Sequence, residues 1–345
     1  MFHVESVFRK SYAGSVFKPS SFPAISVPIS KLVGTASRHI PFRKPLRPIE
    51  QPLISAVSAT AIAAALRKAE LLRETRCGMQ LFLYANNHIH SPVLQELGRL
   101  REITFRMAGE GTGKALDVDR FDTVYQHIIL WHPENQEICG AYRLGDASTL
   151  VSAHDVSGVY CSDLFELNDA AATMLQQGIE LGRSFIQAKY QGTRALDYLW
   201  QGIGTAFERM PHSQYAFGAV SLSADYGAKS SADIIAHFQH YYGATDQIAT
   251  PLRAYKQPKF CHYLARFNGN DECADFRLLK LLLSERGQSV PMLFKQYSDL
   301  CEPGGVNFMA YSIDPDFGSC IDAFVTVDIN KIKAAKKARY FPNRG

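Results

Sequence analysis

The order of apolar and polar residues between positions 57 and 105 predicts two helices with a strand between them. Ala, Leu, Glu, Lys and Arg dominate residues 57–75 and Gly78 follows, so we expect a helix that this glycine closes. Residues 79–84 (MQLFLY) are predicted to form a strand. Ser91-Pro92 is a typical helix start, and the residues after it place an apolar stripe on one helical face: Val93, Leu94, Leu97, Leu100, Ile103 and Phe105.

The rest of the chain continues to mix strands and helices. Strands are predicted at 124–131, 137–144, 178–186, 215–220, 305–312 and 320–327, and helices at 193–210, 231–241, 274–285 and 291–300. Consecutive strands come early and strand–helix–strand units come later, which is typical of a three-layer α/β or α+β domain. Residues 1–55 are rich in Ser, Pro and basic residues without a sustained period, so they are interpreted as an extension.

The composition is that of an ordinary globular protein, with 46% hydrophobic and 20% charged residues among 345. We find no apolar run near the roughly 20 residues that a membrane-spanning helix needs. The charged start is not followed by an apolar segment, which predicts that there is no signal peptide. Seven scattered cysteines without a Cys-x-x-Cys pair favour a reduced, cytoplasmic chain over a disulfide framework or a metal site.

Charge is unevenly placed along the chain. Residues 1–60 hold eight Lys/Arg and two Glu, and residues 331–345 hold six Lys/Arg and no acid. Between these two basic segments there are 23 basic and 31 acidic residues, a net charge of −8. Basic segments of this kind suit an anionic partner such as an acidic carrier protein or a lipid surface, and an unselective solvated tail is the alternative. Nucleic acid is not expected as a partner, because no zinc-finger, RNA-recognition or helix-turn-helix pattern is present.

A Gly-rich turn at 109–113 leads into three acids, Asp117-x-Asp119-x-x-Asp122. A calcium loop would need further oxygen ligands and a glycine at a set position, and both are missing. A two-carboxylate glycosidase stays open, because spacing along the chain does not give the separation in space. The apolar neighbours Leu116, Val118 and Phe121 indicate that the acids pack against the core rather than lie on a solvated turn.

Glu180 and Arg183 lie on a predicted apolar strand, where charges persist only when they are paired or hydrogen-bonded. One interpretation is a core ion pair between Glu180 and an arginine such as Arg143. The other is a carboxylate tuned for proton transfer. Strand alternation puts Glu180 and Gly182 on one face and Arg183 on the other, unless Gly182 carries a bulge.

These residues together resemble a known family. The pattern Arg101-x-x-x-Phe105, the three aspartates, Arg143 and Glu180-x-x-Arg183 is similar to that of acyl-homoserine-lactone (autoinducer) synthases and of the related N-acyltransferases that make ornithine and other amino-acid lipids, often labelled hemolysin-like. Residues Phe121-Asp122, Ala141-Tyr142-Arg143-Leu144, Glu180-Leu181-Gly182-Arg183-Ser184 and Leu199-Trp200-x-Gly202 look closer to the lipid-forming branch. The match covers roughly residues 95–220, and Asp117 stands where relatives commonly have Glu.

The resemblance implies a GNAT-like acyl-CoA N-acyltransferase fold, with a mixed, mostly antiparallel central sheet and flanking helices. It places this domain at 61–330, with an insertion at about 225–300, between a basic extension at 1–60 and a basic tail at 331–345. The implied reaction is direct aminolysis of an acyl carrier protein thioester by the α-amine of an amino acid, with a (3-hydroxy)acyl donor and ornithine or glycine as acceptor. No metal or further cofactor is implied.

The same resemblance assigns roles to residues. Asp117 and Asp119 are expected to bind and deprotonate the amine, with Glu180 as electrostatic support or an alternative base. Arg101, Arg143 and Arg183 are expected to orient these acids or to hold the acceptor carboxylate. The remaining predicted substrate contacts are Phe105, Asp122 and Ser184.

Two departures separate the chain from autoinducer synthases. The tryptophan that those enzymes place shortly after the phenylalanine is absent, and the chain is much longer. The pyrophosphate loop of acetyl-CoA-using relatives is reduced to Tyr190-Gln191-Gly192-Thr193, which suits a carrier protein better than free CoA. We therefore expect a cytoplasmic, peripherally membrane-associated N-acyltransferase. An autoinducer synthase using S-adenosylmethionine and a non-catalytic lipid-binding relative are the alternatives.

Overall fold

The computed structural model of the protein describes residues 50–86, 88–258 and 267–341. The strands of its main sheet are β1 (Glu70–Glu74), β2 (Gln80–Ala85), β3 (Gln126–His132), β4 (Glu137–Asp146), β6 (Gly178–Ile186), β7 (Tyr215–Leu222), β9 (Val306–Asp314) and β10 (Cys320–Asp328). Their order in space is β1-β2-β3-β4-β6-β7-β10-β9. Neighbours are antiparallel except β6 and β7, which run parallel. A second, short sheet pairs β5 (Phe165–Leu167) with β8 (Ala249–Pro251).

Helices cover both faces of the main sheet. They are α1 (Ala59–Leu66), α2 (Pro92–Ala108), α3 (Ala147–His154), α4 (Ala172–Gln176), α5 (Ala195–Arg209), α6 (Gly227–Tyr242), α7 (Glu272–Ser284), α8 (Met292–Ser298) and α9 (Ala334–Tyr340). Strand alternation divides the core between the two faces: on β2, Leu81 and Leu83 pack with α5, whereas Phe82 and Tyr84 pack with α1 and α2. The predicted three-layer fold with a mostly antiparallel sheet is therefore confirmed.

Helix α2 is fixed at both ends by its own sequence. The Ser91 hydroxyl accepts a hydrogen bond from the Leu94 amide at 3.2 Å, and Pro92 occupies the first helical position. Gly109 ends the helix with φ of +80°, a left-handed conformation that glycine adopts without strain. The helix thereby presents Arg101 and Phe105 to the sheet and directs the loop that follows across the sheet face.

The parallel pair β6–β7 opens into a wedge. Its ladder joins Gly178–Glu180 to Tyr215–Phe217 and stops there, although both strands continue. On its other edge β6 carries a bulge opposite Tyr142, where the register with β4 shifts and Arg183 has φ of +47°. The bulge that was considered at Gly182 is therefore present at Arg183, the next residue. It brings Arg183 to the face of the sheet that strand alternation assigned to Glu180.

Most predicted elements of the main sheet are confirmed within a few residues, but the helix predicted at 57–75 is wrong in its second half. The chain turns after Leu66, and Glu70–Glu74 pairs with β2 as an edge strand. The sequence Glu-Leu-Leu-Arg-Glu has good helix propensity, and pairing with the sheet overrides it. Helices α3, α4 and α9 and strands β5 and β8 were not predicted. The structure describes nothing before residue 50, so most of the predicted extension lies outside the described residues.

None of the helices in the described parts of the chain is long and apolar enough to span a membrane.

Candidate active site

Three aspartates and three arginines form one connected group, here called the acid–arginine cluster: Asp117, Asp119, Asp122, Arg101, Arg143 and Arg183. Helix α2 supplies Arg101, β4 supplies Arg143 and β6 supplies Arg183. The aspartates come from the loop between α2 and β3. The three arginines expected to orient these acids therefore lie in salt-bridge contact with them.

The base of the cluster is sealed from solvent. Arg101 Nη1 donates to Asp122 Oδ1 at 2.6 Å, and the two side chains are 0% and 1% exposed. Asp122 also accepts from the Asp119 amide at 2.8 Å, which closes the turn between them. Burial alone would raise the pKa of Asp122, but Arg101 and Arg143 hold it well below its usual range. Asp122 is therefore a structural anion.

Asp117 and Asp119 form the outer part of the cluster. Arg143 Nη1 donates to Asp119 Oδ1 at 2.6 Å, and Arg183 bridges the two acids with Nη2 3.4 Å from Asp119 Oδ2 and Nε 3.2 Å from Asp117 Oδ2. Burial opposes ionisation of Asp119, yet Arg143 lowers the pKa of this 26%-exposed side chain. For Asp117 burial outweighs Arg183 and raises the pKa. The two acids thus differ in proton affinity although they share one arginine.

Tyr160 supports the arginines from the loop that follows α3. The centres of the Arg143 and Arg183 guanidinium groups lie 5.2 and 4.8 Å from its ring centroid. Its hydroxyl oxygen accepts from Arg183 Nη1 at 3.2 Å. Sequence reasoning missed Tyr160, because it lies in an irregular segment without periodicity.

Glu180 is the residue that holds this loop. Its carboxylate accepts from the Tyr125 hydroxyl and from the amides of Tyr160 at 2.9 Å and Cys161 at 2.7 Å. Among the described residues it pairs with no arginine, so the predicted alternative of an ion pair with Arg143 is wrong. Burial raises the pKa of Glu180, although these hydrogen bonds oppose the shift. The geometry gives Glu180 a positioning role for Tyr160.

A cavity of about 680 Å³, the polar cavity, opens onto the outer part of the cluster. Its walls include Asp117, Asp119, Tyr160, Arg183, Asp314 and Phe317. Arg101, Asp122, Arg143 and Glu180 lie beneath the surface and line neither this cavity nor the cleft described next.

A second cavity of about 930 Å³, the long cleft, runs along the open side of the β6–β7 wedge. Phe105 and Ser184, both predicted substrate contacts, line it together with apolar residues of α5 and α8. Tyr142 also lines it; this side chain is 1% exposed and has Ser184 and Tyr297 as polar neighbours. The rings of Phe105 and Phe317 meet edge-on at 5.0 Å between the two cavities.

Several acids near the wedge escaped the sequence analysis. Glu110 lines the long cleft, Asp314 lines the polar cavity, and Asp322 is buried on β10 between them. The available signal was two acids, Asp314 and Asp322, in two mostly apolar strands near the end of the chain. No group of three or more His, Cys, Asp or Glu suited to a metal ion occurs in the parts of the chain that the structure describes.

A sheet opened at a parallel strand pair, with a polar cavity and an apolar cleft at the opening, defines an acyltransferase domain of the GNAT type. In agreement, residues 100–201 match the family model described as acetyltransferase (GNAT) domain. This segment contains the whole acid–arginine cluster and the bulge of β6.

Two curated relatives match about four fifths of the chain. Glycine N(alpha)-acyltransferase of Bacteroides thetaiotaomicron is 30% identical over 81% of this chain and 88% of its own length. Its counterpart in Phocaeicola vulgatus is 29% identical over 84% of this chain and 92% of its own. L-ornithine N(alpha)-acyltransferase of Brucella abortus is 30% identical over 38% of this chain and 47% of its own. The chain therefore belongs to the GNAT-type amino-acid N-acyltransferases, which confirms the family resemblance seen in its motifs.

A solved CoA-dependent acyl-homoserine lactone synthase, MesI, aligns over 67% of this chain and 76% of its own, with 9% identity and a TM-score of 0.28. A TM-score this low supports no conclusion about structural details that the two proteins share.

Proposed function

We propose that the protein transfers an acyl chain from an acyl carrier protein thioester to the α-amine of an amino acid, with glycine as the leading acceptor and ornithine as the alternative. One observation carries this proposal: the consecutive residues Arg183 and Ser184 line different cavities. Two substrates bound in the polar cavity and the long cleft would therefore meet at the bulge of β6. Glycine leads because the relatives of that name match four fifths of the chain.

The polar cavity suits a zwitterionic acceptor. Asp119 is anionic, partly exposed and beside Asp117, so the pair attracts an ammonium group. Lys114 and Arg253 line the same cavity and make no ion pair within the described residues, which leaves both available for the acceptor carboxylate. Arg101, Arg143 and Asp122 hold the acids in place from below, and Arg183 fixes their separation.

The long cleft suits the donor. Beyond Glu180 the side of β6 that faces β7 has no ladder, so its amides are free to donate to the thioester carbonyl as negative charge develops there. The apolar wall continues to α8 and would take the acyl chain. Lys336 and Arg339 of α9 line the cleft but pair with Asp299 and Asp197, and Lys337 on the same helix makes no ion pair among the described residues, which suits an acidic carrier protein. We place the reaction in the cytoplasm, with peripheral membrane contact through the basic segments and no cofactor beyond the thioester.

The test is a mass-spectrometric assay on the full chain with a 3-hydroxyacyl carrier protein. Glycine, ornithine, lysine, serine and S-adenosylmethionine are offered in parallel reactions, and an acyl-CoA of equal chain length replaces the carrier protein in a second series. An N-acyl amino acid from the carrier protein supports the proposal and identifies the acceptor. A lactone from S-adenosylmethionine, or no product from any folded-protein reaction, contradicts it.

Asp119→Asn is the informative variant in this assay. Loss of the carboxylate charge should raise the KM for the acceptor at least about tenfold, since one charge-assisted contact contributes roughly 1.5–3 kcal/mol. Glu166→Gln is the matched control, because Glu166 is an exposed carboxylate on β5 that lines neither cavity. An unchanged acceptor KM in Asp119→Asn would remove Asp119 from the acceptor site.

A further inference from the structure

A buried carboxylate lies one strand away from the β6–β7 wedge. On β10, Asp322 is directly opposite Ser221 of β7, and the Ser221 hydroxyl donates to Asp322 Oδ1 at 2.6 Å. Ser221 lines the long cleft, whereas Asp322 is only 2% exposed. The serine hydroxyl therefore connects the cleft to an acid that substrate does not reach directly.

The three acids assigned from sequence are poorly placed to accept a proton. Asp119 is bound by two arginines that stabilise its ionised form, and Asp117, although burial raises its pKa, has one carboxylate oxygen in a salt bridge with Arg183. Glu180 accepts three hydrogen bonds and lines neither cavity. By contrast, Asp322 makes no ion pair among the described residues.

The groups around Asp322 come from every element packed against it. Five of them are acidic or weakly acidic and one is a cation: Glu110 just after α2, Asp314 on β9, Cys320 on β10, Tyr160 and Cys161 on the loop after α3, and Arg183 on β6. Burial raises the pKa of Asp322 to about 6, with Asp314 adding to the shift and Ser221 and Arg183 opposing it. Burial and the Asp322 charge raise the pKa of Glu110 to about 8. As the pH rises, Asp322 is thus the first of these two acids to lose its proton.

Tyr142 is a further polar group at the same cleft. Its side chain is buried and lines the cleft, with Ser184 and Tyr297 as polar neighbours. Since Tyr142 is opposite the β6 bulge, its hydroxyl is a donor that a thioester held at the wedge could use.

We propose that Asp322 is the proton acceptor of the acyl transfer and acts through the hydroxyl of Ser221. The acceptor ammonium gives one proton to the Ser221 oxygen as that hydroxyl passes its own proton to Asp322. The neutral nitrogen then attacks the thioester carbonyl carbon, the C–N bond forms, the C–S bond breaks, and the leaving thiolate takes the second nitrogen proton. Asp322 finally releases its proton to solvent.

This inference rests on the proposed acyl transfer, so the assay is chosen to distinguish a failure of the inference from a failure of the proposed function. Thiol release and N-acyl product are both followed from pH 5 to 9 for the wild type, Asp322→Asn, Ser221→Ala, Glu110→Gln and the control Glu166→Gln. Product formation by the wild type tests the proposed function. The shapes of the pH profiles test Asp322. These profiles can be measured from the release of the thiol with any amine that serves as acceptor.

The expected results differ between variants. Wild-type kcat/KM should rise with pH through about 6, as Asp322 ionises. Asp322→Asn should lose this step and about 10²-fold or more of the rate at pH 7, while Ser221→Ala loses rate but not folding. Glu110→Gln should keep the step near pH 6, because Glu110 is already uncharged there. The proposal is overturned if Asp322→Asn keeps both the step and a rate within threefold of wild type.

A loss of folding in Asp322→Asn is excluded by comparing thermal unfolding with the wild type. If that variant unfolds, Ser221→Ala decides: a rate and pH profile equal to wild type contradict the serine-mediated path, and a lowered rate with normal unfolding supports it.

Discussion

At the scale of single residues, Asp122 balances the charge of the buried half of the site. It contacts Arg101 at 2.6 Å and Arg143 at 3.5 Å, and neither arginine is more than 1% exposed. Asp122→Asn leaves both cations buried with one anion fewer. We expect a loss of about 3–5 kcal/mol in the free energy of unfolding, measured by urea denaturation, because removing one partner of a buried pair strands the other.

A surface pair provides the control for this variant. Arg120 and Asp163 lie 2.7 Å apart, but their side chains are 61% and 42% exposed. Asp163→Asn should therefore change the free energy of unfolding by at most about 1 kcal/mol. Equal losses in both variants would show that burial of the Arg101–Asp122 pair does not determine its contribution.

The same residue predicts a pH dependence of stability. The pKa of Asp122 is lower in the folded than in the unfolded chain, so its contribution is present above the unfolded value of about 4 and is lost as the pH falls through the folded value. Wild-type stability should thus decrease from about pH 5 downward, and Asp122→Asn should show a flatter curve over that window. Parallel curves for the two proteins contradict this linkage.

The residues of the cluster were predictable and their neighbours were not, for a physical reason. Apolar residues around Asp117 and Asp122 indicated burial, and the family resemblance implied that the three arginines orient these acids. Glu180 required a partner too, but its partners are a phenol and two backbone amides of an irregular loop. Almost every residue has a backbone amide, so residue type does not indicate which amides will donate. This explains why an arginine was expected instead.

At the scale of elements, the contact between α5 and α9 shapes one wall of the long cleft. Gly204 of α5 lies directly beneath the backbone of Tyr340, and a Cβ there would overlap the Tyr340 carbonyl oxygen. Gly204→Ala should push α9 outward, with a cost of about 1–3 kcal/mol for overpacking. Because Lys336, Arg339 and Tyr340 line the cleft, we expect a higher KM for the donor and an unchanged KM for the acceptor.

Thr205→Ala on the same helix is the matched control, since it removes a methyl group and a hydroxyl that bonds the Gln201 carbonyl within α5. It should leave both KM values as in the wild type. Gly204→Ala with wild-type donor KM would show that α9 does not form part of the donor site.

Helix α9 is an element that the periodicity of apolar residues did not predict. Residues 331–345 carry six basic residues, which predicted a tail, yet Tyr340 and Phe341 are buried against Trp200 and Phe207 of α5. Two aromatic residues suffice to dock a seven-residue helix that has no apolar stripe of its own. Edge strand β1 is the opposite case: its sequence favours a helix, but pairing with the sheet makes it a strand.

At the scale of the whole molecule, charge is separated between the body and its basic segments. The chain between residues 61 and 330 has a net charge of −8, whereas α9 places cations at the mouth of the long cleft. Asp299 and Asp197 pair with Lys333, Lys336 and Arg339, but Lys337 makes no ion pair among the described residues. Lys337 is therefore the cation on this helix that is available to an acidic protein partner.

Lys337→Glu tests whether the donor arrives on a carrier protein that docks at α9. A rim charge acts on encounter more than on the chemical step, so we expect the KM for an acyl carrier protein to rise about fivefold to tenfold at low salt, with kcat unchanged. The difference should shrink at high ionic strength, because salt screens exposed charges. An acyl-pantetheine donor has no protein surface to repel, and its KM should be the same in the wild type and in Lys337→Glu.

Lys68→Glu, an exposed charge reversal between α1 and β1, is the control and should change the KM of neither donor. An equal rise for both donors in Lys337→Glu would place Lys337 against the pantetheine arm, and no rise for either would move the docking surface away from α9.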